Sequence, residues 1–175
     1  QAEHGPTSPT VLITSSRRVG EKVIEVMHDT IEHHMPSPNK ETAHQAWRIY
    51  GEVVLCADDD AMVALSDEVA SEHLQVMCRD PAWFHSQLTN YGSLFLGAHT
   101  TVSMGDKASG PNHVLPTMRA SRYTGGLSVL SFLKCLSWQD ATLQGAVDVA
   151  TVTAKISRLE GMEGHARAAD LRANL

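Results

Sequence analysis

The sequence predicts an α/β protein: a Rossmann-like, doubly wound sheet layer followed by a helical C-terminal arm. Short β-branched runs alternate with amphipathic segments from Val11 to Leu96, the pattern of parallel strands joined by helical crossovers. After Pro116 the strand runs stop, and small and apolar residues recur at helical spacing between Ser137 and Leu159, as in a packed helix. A chain of 175 residues is also long enough to bury roughly 70% of its unfolded surface. The expected organisation is an α/β half-domain over residues 1–135 and a helical dimerisation arm over 136–175.

Each element has a local reason. Gln1 to His4 reads as a helical turn that places its end residues on one face, stopped by Gly5 and Pro6. Val11-Leu12-Ile13 is a strand. Ser15 or Ser16 caps a helix from Arg17 to His33, where Val19, Val23, Ile24, Met27 and Ile31 share a face. Pro36 and Pro38 make a turn, and Thr42 to Tyr50 is a helix ended by Gly51. Glu52 to Cys56 is the next strand, and Asp58 to Asp60 opens a helix running to about Ala70. Leu74 to Cys78 is a strand. Asp80-Pro81 supplies the cap and first position of a helix through Leu88. Ser93 to Leu96 is a buried strand that Gly97 ends. Tyr123 to Gly126 is a turn, and Leu127 to Cys135 an apolar element of undetermined type. Glu160 to Leu171 is a charged helical segment that Gly161 and Gly164 interrupt.

Composition narrows the function. Net charge is −6, and the 14 basic residues form no run, so the chain lacks the electrostatic footprint of a nucleic-acid binder. No window approaches the roughly 18 apolar residues of a membrane span, and no signal peptide opens the chain. Cys56, Cys78 and Cys135 are odd in number and have no CxxC spacing, which reads as reduced thiols in a cytoplasmic protein. No GxGxxG or Walker loop announces a nucleotide site.

Chemistry concentrates in the long polar segment between Gly97 and Pro116. Extended loops without structure of their own are uncommon in compact domains and are often functional. This one carries Asp106 and His113 on a backbone bent by Gly105 and Gly110. The alternative is a surface loop whose polar residues only cap turns. Gln1, His4, Asp106 and His165 form a mixed N/O set of the kind that suits a catalytic zinc ion and would also accept manganese. With ten histidines, spacing alone does not select this set. His28, His33, His34, His44, His85 and His99 read as surface or turn residues. Glu72-His73 stands at a helix-to-strand break, where both side chains can be aimed at one pocket. The competing reading is a charged C-terminal helical turn.

Gly105-Asp106-Lys107-Ala108-Ser109-Gly110-Pro111-Asn112-His113-Val114-Leu115-Pro116-Thr117 resembles the GDYxxGxNHxLPT segment of the histidinol dehydrogenase family. The likeness covers nearly the whole chain but only the C-terminal half of a usual member. It implies that Gln1 and His4, in a QxEH-like segment, bind zinc together with Asp106. His165 sits where the family has its last metal ligand, contributed by the partner subunit of a homodimer. Glu160, His113 and Lys107 fall at or beside positions that contact the small-molecule substrate. Ser71-Glu72-His73-Leu74 resembles the family's PEHL, whose Glu and His are the catalytic pair. By this resemblance His73 takes a proton, and also contacts substrate, as hydride leaves to NAD. Glu72 then activates a water on the aldehyde.

Departures sharpen the likeness. Ser71 replaces the usual Pro, Lys107 stands where histidinol-specific members have Tyr, and Arg119 where Gly is common. With Arg122-Tyr123-Thr124-Gly125-Gly126, these resemble the sulfopropanediol dehydrogenase branch more than the histidine-biosynthetic one. Lys107 and Arg119 add cations suited to an anionic substrate. The family's NAD-binding half has no counterpart here. Three expectations follow: part of a longer dehydrogenase, a shortened zinc-dependent isomerase, cyclase or hydrolase using Glu72 and His73, or a non-catalytic binding module.

Overall fold

Val11, Leu12 and Ile13 form the centre of β1 (Thr10–Thr14), which pairs in parallel with β2 (Gly51–Leu55), Leu12 lying opposite Val53. These relations come from a computed structural model of the chain, which describes residues 1–174. The crossover runs through α1 (Arg17–Asp29), a wider π-type turn (Thr30–His34) and α2 (Asn39–Tyr50). Ser16 caps α1 as its residue type predicts, accepting from the Val19 amide at 3.4 Å.

Gly51 does not end α2 as a left-handed cap. Its backbone is extended, and it is the first residue of β2. Glycine is required there because a Cβ would lie 2.4 Å from the Trp47 carbonyl oxygen. Ile31, Ala43 and Ala46 form the core of this region, and Ala2 is buried with them. The N-terminal turn is thereby fixed to α2.

A second parallel pair repeats the plan. α3 (Asp59–Val69) starts at the Asp58 cap, whose carboxylate accepts from the Ala61 amide at 2.8 Å. β3 (His73–Val76) follows, then α4 (Pro81–Gln87) and β4 (Ser93–Leu96), with His73 opposite Ser93. Val76, Phe84 and Leu88 are buried between them, with Met62, Val63 and Leu94 packed around. The strand thus begins at His73 rather than at Leu74, because the Ser93 amide already donates to the Glu72 carbonyl at 2.9 Å. The ladders join β1 to β2 and β3 to β4 and make two separate pairs among the described residues. The α/β class holds, whereas a single doubly wound sheet is not what these ladders form.

The polar segment after β4 is not structureless. It contains α5 (Val102–Lys107), anchored by its Gly105 against the Phe95 ring.

Residues Gln1–Phe132 make one compact unit and the chain from Leu133 a second. In the second unit α6 (Leu143–Leu159) begins at the Thr142 cap, not at Ser137. It packs Ala150 and Ala154 against Ala169 of α7 (Glu163–Ala173). Gly161 makes the turn at φ 76°, but Gly164 lies inside α7 and does not interrupt it. Among the described residues no helix is long and apolar enough to cross a membrane.

Candidate active site

His4 closes the short 3-10 turn Ala2–His4. Burial of Ala2 fixes where its imidazole emerges, while the His4 side chain stays 46% exposed. Asp106 reaches the same place from α5, its Oδ2 lying 3.8 Å from His4 Nε2. The other carboxylate oxygen, Oδ1, lies 3.3 Å from His73 Nε2. The His73 side chain is only 7% exposed. Its ring stacks on Phe95 with centroids 6.4 Å apart and meets His4 edge-on at 6.1 Å.

On the far side of the imidazole, His73 Nδ1 is buried without a hydrogen-bond partner. Glu72 Oε2 lies 3.8 Å from it, one side-chain adjustment from a hydrogen bond. His73 therefore has a carboxylate facing each ring nitrogen, on an aromatic floor. That is an arrangement able to orient an imidazole and move a proton through it. The adjacency of Glu72 and His73 works because His73 is the first strand residue and Glu72 the last of the turn before it.

Four of the residues singled out from sequence thus come together in the first unit: His4, Glu72, His73 and Asp106. Gln1 lies at the head of the same turn, its carbonyl accepting from the His4 amide at 3.1 Å. Lys107 ends α5 and is exposed. His113 is exposed on a segment shaped by Asn112, whose side chain bonds the Val114 backbone and the Leu127 carbonyl. Glu160 and His165 belong to the second unit, at the end of α6 and in the first turn of α7. Arg119 donates to the Glu68 carbonyl at the end of α3. Phe95 and Gly105 had no site role in the sequence reading. Only their contact in three dimensions reveals one: a Cβ on Gly105 would lie 2.7 Å from the Phe95 ring.

The donor chemistry of His4 and Asp106, one imidazole and one carboxylate, fits a zinc ion. Among the described residues no group of three or more His, Cys, Asp or Glu side chains is arranged to hold a metal. A complete ligand shell would need further donors.

The family model for histidinol dehydrogenase matches residues 1–173. Sulfopropanediol 3-dehydrogenase of Ruegeria pomeroyi is 55% identical over 98% of this chain and 39% of its own length. A histidinol dehydrogenase homologue of Aspergillus oryzae is 39% identical, over 99% of this chain and 72% of its own length. The crystal structure of histidinol dehydrogenase from Elizabethkingia anophelis superposes with a TM-score of 0.91 at 28% identity, covering 99% of this chain and 39% of that one. The chain spans about two fifths of the length of the bacterial relatives it matches.

Proposed function

Because the chain belongs to the histidinol dehydrogenase family, we propose that it is the catalytic portion of a zinc- and NAD-dependent alcohol dehydrogenase. Its relatives are named as dehydrogenases, which supports an oxidoreductase. The substrate we assign is a small polar amino- or sulfo-alcohol, oxidised toward the acid. The sulfo-alcohol is favoured by 55% identity to the sulfopropanediol enzyme against 34% to the histidinol dehydrogenases of Nitrobacter winogradskyi and Zymomonas mobilis.

The observation that carries this reading is the buried His73 imidazole with Glu72 at one nitrogen and Asp106 at the other. His73 would take the hydroxyl proton, and NAD, when bound, would supply the acceptor for the hydride leaving the carbon. Glu72 would take a proton from the water that adds to the aldehyde, and a second NAD, when bound, would supply the acceptor for the second hydride. His4, Asp106, Gln1 and His165 of a second copy would hold the zinc. When bound, it supplies Lewis acidity that lowers the proton affinity of a substrate oxygen, and manganese would serve the same donors. Lys107, His113 and Glu160 would contact substrate. No NAD-contacting residue is assigned to this chain. We read its two parallel strand pairs as parts of one doubly wound layer completed by chain outside it. A homodimer is favoured by the exposed apolar face of α6, and a cytoplasmic setting by the free thiols of Cys56, Cys78 and Cys135.

The test is NADH formation with sulfopropanediol and with histidinol by the full-length protein that carries this catalytic portion, with zinc measured by atomic emission. Activity lost in Glu72→Gln and His73→Asn supports the reading; no NADH from any small alcohol by that zinc-loaded protein rejects it. A second reading has its own observation: this chain covers 72% of the length of the Aspergillus relative. Stoichiometric zinc without NAD binding in calorimetry would favour a zinc-dependent isomerase, cyclase or hydrolase using the same Glu72 and His73.

A further inference from the structure

Between the end of α3 and Glu72 the backbone must change from helix to strand within a few residues. Ala70 makes the change at φ 50°, ψ 57°, a left-handed conformation that costs a residue with a side chain about 1 kcal/mol. Such a turn persists only where its surroundings determine it.

Here the surroundings are explicit. The Glu68 carbonyl accepts from the guanidinium groups of both Arg119 and Arg122, the latter at 2.7 Å. The Ala70 carbonyl accepts from Oγ of the buried Ser121 at 2.8 Å. The Ser71 carbonyl accepts from the Gly92 amide at 3.0 Å, and the Glu72 carbonyl from the Ser93 amide at 2.9 Å. Two guanidinium groups at a helix C-terminus also oppose its negative dipole end. Arg119 is itself left-handed, at φ 64°, a second strained residue in the same contact. Gly92 leaves no slack: a Cβ there would lie 2.5 Å from the Glu72 carbonyl oxygen and 2.9 Å from Pro116. The 116–122 segment, Gly92 and the turn before Glu72 therefore move together or not at all.

We infer that Arg119, Ser121 and Arg122 form a strap that fixes the Ala70–Glu72 turn and so sets the position of the Glu72–His73 pair. They are positioning residues, and the inference rests on the reading of that pair as the acid–base machinery. It also gives Arg119 a task other than substrate recognition, because its guanidinium is directed at the end of α3.

The amides of Gly92 and Ser93 report on the strap directly, since they bond the Ser71 and Glu72 carbonyls. Hydrogen exchange is measured on the full chain carrying Ser121→Ala, Arg122→Gln or Arg119→Gly. The expected result is exchange on the order of tenfold faster at Gly92 and Ser93. The Cys56 amide, bonded to Thr14 of the other strand pair, should be unchanged. Ser121→Thr restores protection. Arg119→Gly relieves backbone strain yet removes a donor, so it separates stability from position: thermal unfolding holds steady or rises while Gly92 and Ser93 exchange faster. In the dehydrogenase assay, Ser121→Ala lowers kcat about tenfold with the substrate KM unchanged. Unchanged exchange at Gly92 and Ser93, or an equal rise at Cys56, overturns the strap. Full-length wild-type protein without activity sinks the dehydrogenase reading alone, and the exchange result still decides the strap.

Discussion

Gly105 stands one residue before Asp106, inside α5, and two forces act on any replacement there. Alanine in a helix interior is favoured over glycine by about 1 kcal/mol. Against that, an alanine Cβ would lie 2.7 Å from the Phe95 ring, which is 6% exposed and stacked on His73. Overpacking of a rigid site costs about 1–3 kcal/mol, so the steric effect wins. Gly105→Ala is expected to lower the melting temperature, and Gly105→Ala with Phe95→Leu to recover part of the loss. A stabilised single variant would show that propensity governs and that α5 does not rest on the ring. The same contact explains what could not be read in sequence at this scale. Glu72, His73, Asp106 and His4 are chemically distinctive residues, and resemblance pointed to them. Phe95 is one apolar residue among several in a strand, and nothing local marks it as the floor under His73.

The elements are joined by a few polar ties whose pH dependence has a definite sign. Asp67 on α3 holds the α4–β4 connection. It accepts from the Thr89 amide and hydroxyl and from the Asn90 amide, at 2.6 to 3.0 Å for the shortest bond of each. Partial burial pushes its carboxyl upward, but the bonds from Thr89 and Asn90 outweigh this and hold it below the ordinary 3.8. A carboxylate with a lowered folded-state pKa stabilises above its unfolded value and loses that contribution as pH falls through the folded one. Asp67→Ala should therefore cost about 1 kcal/mol near neutral pH, read from urea midpoints. The gap to wild type should begin to shrink as pH approaches 3.8 and go on shrinking below it; a constant gap down to full protonation would mean that the tie is not electrostatic. Element boundaries set by such local chemistry were legible: Ser16, Asp58 and Asp80 cap the helices that their residue types predict. Strand pairing was not, because ladder partners such as Leu12 and Val53 are far apart in sequence and periodicity carries no partner information. α5 was missed for a different reason: Val102-Ser-Met-Gly-Asp-Lys107 is too short to show an apolar face.

For the whole molecule the open face of α6 carries the argument. The helix turns Ala150, Ala154 and Ser157 inward, and Ala150 and Ala154 pack with Ala169 of α7. Arg158 pairs with Asp170 and Glu163 across the hairpin, which raises the guanidinium pKa and lowers that of Asp170. Val149, Val152, Ile156 and Leu159 recur three and four apart on the helix, 64%, 57%, 50% and 81% exposed. Apolar residues at this spacing form a single stripe, the seam by which helices associate. If that seam joins two copies, and if His165 of one copy completes the donor set begun by His4 and Asp106 of the other, dimerisation and metal retention are linked. Val152→Glu with Ile156→Glu should then give a monomer in sedimentation and lose bound zinc together, while circular dichroism keeps its helical signal because the buried alanines are untouched. His165→Ala should lose zinc and remain a dimer. Zinc retained by the monomeric double variant would break the link and leave the metal to residues of one chain; a wild-type monomer would assign the stripe to polypeptide beyond these residues.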